Sequence, residues 1–258
     1  MAGKGEIRSD IAWSSADRIV VHGRDFPSEI LGHLSFGDMA FLELTARAPD
    51  ADESRMFNAM LVTLVEHGLT PSTLAARLTY FGAPEALQAA VAAGLSGLGS
   101  VFVGSVEGSA RMLYEAVADD PDATEDALAA RIVDGFEAQK AIVPGIGHPV
   151  HKPVDPRTPR LIEIARETGF HGRYVSLMLA VAAEAERRKN RPLPPNATGI
   201  LGALCCEMGF DWKICRGLGV MARAVGIVGH LLEESRNPLS PRLWSETDER
   251  ATRHMKPE

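Results

Sequence analysis

Residues 145–157 read GIGHPVHKPVDPR and place His148, His151, Lys152 and Arg157 in one short segment. Imidazoles exchange protons near neutral pH. Lysine and arginine bind carboxylates and phosphates, and the guanidinium fork does so in a bidentate manner. The same segment holds two glycines and three prolines. Helices and strands rarely tolerate that density, so it is a shaped loop. Its chemistry suits an anionic ligand and proton transfer; the bland alternative is a basic surface loop.

Three other positions carry charge in unusual places. His67 is expected at the end of an apolar helix face, one step beyond Met56, Met60 and Leu64 on that face and immediately before Gly68, a helix stop. Arg223 and His230 lie seven residues apart in a long apolar helix and so share one face. A cation on so apolar a helix needs a partner or a ligand. Arg242 follows a proline in the tail NPLSPRLW, which reads as extended. Taken singly, these are also compatible with a capping histidine, a snorkelling arginine and a surface arginine.

The elements that must position these groups are helical. Only RIVVH (residues 18–22) has a strand pattern. Ser35 and Asp50 are N-cap residues, and Pro71 opens a helix over 71–81. The stretch PEALQAAVAAGLSG (84–97) is small and apolar all round, which predicts a helix packed on every side. Further helices are expected near 107–118, 123–139, 157–168, 172–189, 197–209 and 212–234. The fold class is all-α.

Composition narrows the function. The chain has 258 residues, 45% of them hydrophobic, enough for a sizeable core. A net charge of −7 without a basic patch argues against nucleic acid. The apolar run at 214–232 carries Arg216, Arg223 and four glycines, so it predicts a buried helix and not a membrane span. Cys205, Cys206 and Cys215 have no disulfide or metal-ligand spacing and are expected as buried thiols in a reducing cytoplasm. The N-terminal MAGKGEIRSD has no apolar core and does not read as a signal peptide.

Four segments, in order along the chain, resemble the citrate synthase superfamily. They are SFGDMAFLELTARAP, HGLTPSTLAAR (67–77), GIGHPVHKPVDPR and ARAVGIVGHLLEE (222–234). The short length, the stretch LTYFGAPEALQAAVAAGLSGLGS and the PRLW tail resemble the stand-alone citryl-CoA lyase-like branch. The resemblance implies a large helical domain (1–108 and 216–258) with a smaller inserted helical domain (109–215). It implies that His67, Arg157 and Arg223 bind a citrate- or oxaloacetate-like carboxylate and that Arg242 reaches the neighbouring subunit's site in a homodimer. His148 would hydrogen-bond the oxygen at the scissile carbon–carbon bond. Gly147, Pro149, His151 and Lys152 would cradle the CoA thioester, which enters as substrate; no further cofactor and no metal are implied.

Two positions depart from the superfamily pattern. Phe102 stands where its L-H-G-G histidine would be, and Thr198, in PNATG, stands where its catalytic aspartate would be. Thr198 is the catalytic-position residue, yet threonine has no group that titrates near neutral pH. Glu207, Asp211 and His151 are the candidates to replace the aspartate. Two classes of function follow. One is a lyase splitting citryl-CoA, or a related 3-hydroxyacyl-CoA, into a 2-oxo acid and an acyl-CoA, with synthase chemistry as its reverse. The other is a non-catalytic or altered-chemistry binder of a carboxylate or CoA ester.

Overall fold

The computed structural model describes residues 7–148 and 151–256. Eleven α-helices make up most of the described residues. They are α1 (Phe36–Thr45), α2 (Ala51–Val65), α3 (Pro71–Gly82), α4 (Leu87–Ser96), α5 (Gly104–Asp119) and α6 (Glu125–Ala138), followed by α7 (Arg157–Glu167), α8 (Arg173–Lys189), α9 (Ala197–Glu207), α10 (Cys215–Arg236) and α11 (Ser240–Thr252). The all-α expectation holds. RIVVH supplies the middle strand of a small antiparallel sheet, β1 (Ala12–Ser14), β2 (Ile19–Val21) and β3 (Arg24–Asp25), with Trp13 opposite Val20.

The caps follow the sequence. Ser35 with Asp38 and Asp50 with Glu53 form reciprocal capping boxes, and Thr70 caps the helix that Pro71 opens. These side chains satisfy first-turn N–H groups that have no intrahelical partner.

The main core runs without a break from Phe41, Phe57 and Met60 through Leu113, Val133, Met178 and Leu204 to Ala222. Phe41, Phe57 and Phe210 meet at centroid distances of 5.4–5.9 Å, the usual range for aromatic pairs. Helix α10 packs on α2, α3, α4 and α5; α9 packs on α5, α7 and α8; α6 packs on α8. Cys205, Cys206 and Cys215 are buried and free of disulfides, and burial pushes the Cys206 thiol up to about 12.

Three expectations are corrected. Helix α4 is not packed on all sides: Ala90 and Gly94 are buried, while Leu87 is 46% exposed. It lies against α3 and α10 along one stripe, and its small side chains leave the outer face bare. The tail is not extended, because Pro241 occupies the first turn of α11, where its missing N–H has no intrahelical role. Helix α2 ends at Val65, so His67 lies beyond it and not on its apolar face.

Helix α10 is long and apolar enough to cross a bilayer, and less than half of it is buried. Yet Arg223 and Glu234 on it are buried within the protein, each hydrogen-bonded there.

Candidate active site

Two walls meet at three histidines. The first wall is the end of α2. Glu66, extended just after the helix, accepts hydrogen bonds from the backbone N–H of His67 (2.8 Å) and Gly68 (2.5 Å) and pairs with His230 Nε2 (3.1 Å). Helix α10 crosses here at Gly226, where a Cβ would lie 2.1 Å from the Val65 carbonyl oxygen. Only glycine allows that approach. It brings Arg223, three residues earlier, to donate from Nε to the Leu64 carbonyl (3.2 Å), one of the orphan acceptors of the α2 C-terminus.

The second wall is the loop with two histidines, pinned to the start of α9. Gly147 N–H donates to the Pro194 carbonyl (2.7 Å), Asn196 N–H to Gly145 (2.9 Å) and Asn196 Nδ2 to Gly147 (2.6 Å). Gly145 adopts φ +85°, and a Cβ on it would lie 2.4 Å from Gly199 Cα. Asp155 then aims Arg157 at the first residue of α7. It accepts from Arg157 Nε (3.0 Å) and a terminal guanidinium nitrogen (2.8 Å), and also from Ala197 N–H (3.1 Å). Burial alone would raise the Asp155 carboxyl, but the Arg157 guanidinium and the Ala197 and Arg157 N–H groups outweigh it and hold the carboxyl at about 2.

Between the walls, one ring nitrogen each from His67, His148 and His151 lies within 4.8 Å of the others. The His148 and His151 rings stack at 4.4 Å. The backbone N–H of His151 donates to His148 Nδ1 (2.9 Å). That bond makes Nδ1 an acceptor, so neutral His148 carries its proton on Nε2. Burial and then the neighbouring His151 push the His148 pKa down. Burial, Arg157 and Arg223 do the same to His67. The trio is close enough to hold a metal ion, but two guanidinium groups act on it and favour an anion instead.

His148 and His151 also line a cavity of about 1220 Å³ between α6, α8 and the loop. Its apolar surface includes Phe136, Val143, Ile146 and Leu193; Lys140, Lys152, Lys189 and Arg191 line it as well. Lys189 pairs with Glu137 (2.6 Å), whereas no ion pair holds Lys140, Lys152 or Arg191 among the described residues. A long thioester arm with a phosphorylated end has the shape and charge to fill such a space.

The structure therefore brings together His67, His148, His151, Arg157 and Arg223, with Gly147 and Lys152 on the cavity wall. Pro149 lies outside the described residues. Arg242 is not in this cluster; it is on the exposed face of α11 and pairs with Glu246 (2.5 Å). Thr198 sits in the first turn of α9, and its hydroxyl donates to Asn196 Oδ1 (2.6 Å), so its proton is already used. Phe102 is 47% exposed in the turn before α5. Glu207 accepts from Val175 N–H (2.9 Å) at the start of α8, and Asp211 from Lys213 N–H (3.0 Å). Of the three substitutes considered for the aspartate, His151 stands at the trio.

Sequence reasoning passed over Asp155 and the cavity cations Lys140, Lys189 and Arg191. Asp155 had a signal, since it lies two residues before Arg157 in the same loop. The cations had none, coming from two segments some fifty residues apart.

Residues 17–243 match the family described as citrate synthase, C-terminal domain. The citryl-CoA lyase structure from Hydrogenobacter thermophilus is 33% identical, with a TM-score of 0.80 over 88% of this chain and 86% of that one. The ATP citrate lyase structure from Methanothrix soehngenii, in complex with citrate and coenzyme A, shares the fold at 19% identity and a TM-score of 0.74, over 92% of this chain and 40% of that one. Citrate synthase from Heyndrickxia coagulans is 25% identical over 84% of this chain, which spans 57% of that protein's length. With residues 17–243 matched by the family and its fold shared over most of its length, the chain belongs to the citrate synthase family.

Proposed function

We propose that the protein is a carbon–carbon lyase that cleaves citryl-CoA, or a related carboxylated 3-hydroxyacyl-CoA, to a 2-oxo acid and an acyl-CoA. One observation carries this reading. The histidine trio, faced by Arg157 and Arg223, opens through His148 and His151 directly onto the cation-lined cavity. Carboxylates fit the first part and a CoA arm the second, so the bond between them falls at the histidines. His67, Arg157 and Arg223 hold the carboxylates; His148 donates from Nε2 to the C3 oxygen; Gly147, His151 and Lys152 flank the thioester arm. The likeness to a citryl-CoA lyase of similar extent supports the cleavage direction. The reaction needs no cofactor beyond the CoA thioester.

Release of oxaloacetate from citryl-CoA by the purified protein tests the reading; a rate equal to the uncatalysed one would exclude it. Arg157→Ala and Arg223→Ala are each expected to weaken citrate binding more than tenfold, as loss of a charge-assisted pair does. Calorimetric titration measures this.

Thr198 favours a second reading, a carboxylate or CoA-ester binder without turnover, because its hydroxyl is engaged with Asn196 and does not titrate. Tight citryl-CoA binding without product supports that alternative.

The same reading includes a homodimer. Val225, Val228 and Leu232 fall on one exposed face of α10, and α3, which packs on α10, also exposes Leu78 and Phe81. In that homodimer a second copy would cover this face, and Arg242 is the residue proposed to serve the neighbouring site.

A further inference from the structure

Lyase cleavage leaves one proton without a carrier. The 3-hydroxyl must lose its proton as the C2–C3 bond breaks. The bonding pair moves into the thioester as an enolate, and a proton must then reach the enolate carbon. His148 in the tautomer that this bond implies cannot accept that proton, because Nδ1 takes the backbone N–H of His151 and Nε2 carries hydrogen. It acts as a donor to the oxygen. The Thr198 hydroxyl is committed to Asn196 and the Glu207 carboxylate to α8.

Two imidazoles remain, and their surroundings differ. His67 is faced by Arg157 and Arg223, whose charges oppose a further positive charge, and it does not line the cavity. His151 lines the cavity beside Lys152, at the junction of the carboxylate and thioester parts, and its ring makes no hydrogen bond among the described residues. The spacing fits a shared oxygen. An atom centred among three nitrogens no more than 4.8 Å apart lies at most about 2.8 Å from each, which is hydrogen-bond distance.

We propose that the His151 imidazole takes the hydroxyl proton as the carbon–carbon bond breaks and returns it to the carbon of the thioester enolate. This rests on the lyase reading above. The hydroxyl oxygen accepts from His148 and donates to His151. The products are the 2-oxo acid, its new carbonyl still held by His148, and the acyl-CoA carrying the transferred proton. Protons and electrons balance without a further reactant, and His151 serves as base and acid in turn, in place of a carboxylate at position 198.

The test compares wild-type protein, His151→Gln and His151→Ala, measuring citryl-CoA affinity by calorimetry and cleavage by oxaloacetate release. Loss of a positioned acid–base group predicts a fall in kcat of about 10²–10⁴-fold. Affinity should stay within threefold in the glutamine variant. Free imidazole should restore at least tenfold in the alanine variant, an effect that a residue merely shaping the loop would not give. If wild type cleaves and His151→Gln keeps its rate, the proposal falls while the lyase reading stands. If His151→Ala loses rate and imidazole restores none, the proposal likewise falls. If wild type binds citryl-CoA without cleaving it, the lyase reading falls and this one with it.

Discussion

Arg157 shows why a single side chain is only as useful as its support. Its guanidinium is held by Asp155, whose side chain is wholly buried, through two hydrogen bonds. The same carboxylate also fixes the Ala197 N–H, so one residue ties α7 to α9. Its pKa falls from 3.8 to about 2 on folding. A depressed carboxylate stabilises the fold above its unfolded pKa, and that contribution disappears as pH falls from about 4 to about 2. The shift corresponds to about 2 kcal/mol. Asp155→Asn should therefore be destabilised relative to wild type at pH 6, with the gap narrowing at pH 3; urea unfolding at the two pH values measures it. A gap of constant size would show that Asp155 acts through packing alone. The types of the site residues were legible because charges and imidazoles are costly outside function or pairing. Their neighbours were not, because Arg157 finds its anion nearby in the loop whereas Arg223 finds its acceptor on another helix.

Among elements, the loop over 145–148 and the start of α9 act as one unit. Glycine and proline made the loop recognisable; Asn196, which sequence reading did not single out, caps α9, its Oδ1 accepting from Gly199 N–H. That the two lie edge to edge, joined by an Ile146–Pro195 bridge, follows from Gly145 meeting Gly199 backbone to backbone. Gly145→Ala combines a left-handed φ with an overlap that backbone cannot relieve. A cost of about 1–3 kcal/mol is expected from the strained conformation alone, with weaker citryl-CoA binding as His148 shifts. Thermal melting and calorimetry test both; an unchanged melt and affinity would mean that the loop position is not set by this contact. Element boundaries diverged where end effects decide. The tail folded as α11 because Glu234 on α10 accepts the Leu239 and Ser240 N–H groups at its start, a partner that local sequence does not reveal.

For the whole molecule, Arg77 joins the parts. It is 3% exposed and pairs with Glu234 at 2.9 Å, with Glu233, and with His230 Nδ1 at 2.8 Å, locking α3 to α10. Burial opposes its charge, but the two carboxylates more than offset that. Removing one partner of such a pair leaves a buried charge uncompensated and costs about 3–5 kcal/mol. Arg77→Ala should lower the melting temperature by about 2–4 °C per kcal/mol for a chain of this size; a shift under 2 °C would show the network to be dispensable. The proposed dimer places a mass near twice 27.7 kDa in sedimentation equilibrium, and Val228→Asp with Leu232→Asp should reduce it to one.

By itself, the sequence determined the helical class, the caps, the buried cysteines and the stock of carboxylate-binding and proton-exchanging residues. These follow from periodicity, backbone freedom and the cost of burying charge, which act over a few residues. Tertiary structure alone decided that His67, His148 and His151 converge from segments some eighty residues apart in the chain. It also decided which nitrogen of His148 carries the proton, that the Thr198 hydroxyl is engaged by the capping side chain of Asn196, and that Arg242 lies outside its own chain's cluster. Those outcomes depend on how α2, α9 and α10 pack. Helix packing is set by the sum of many distant apolar contacts, and no window of neighbouring residues contains it.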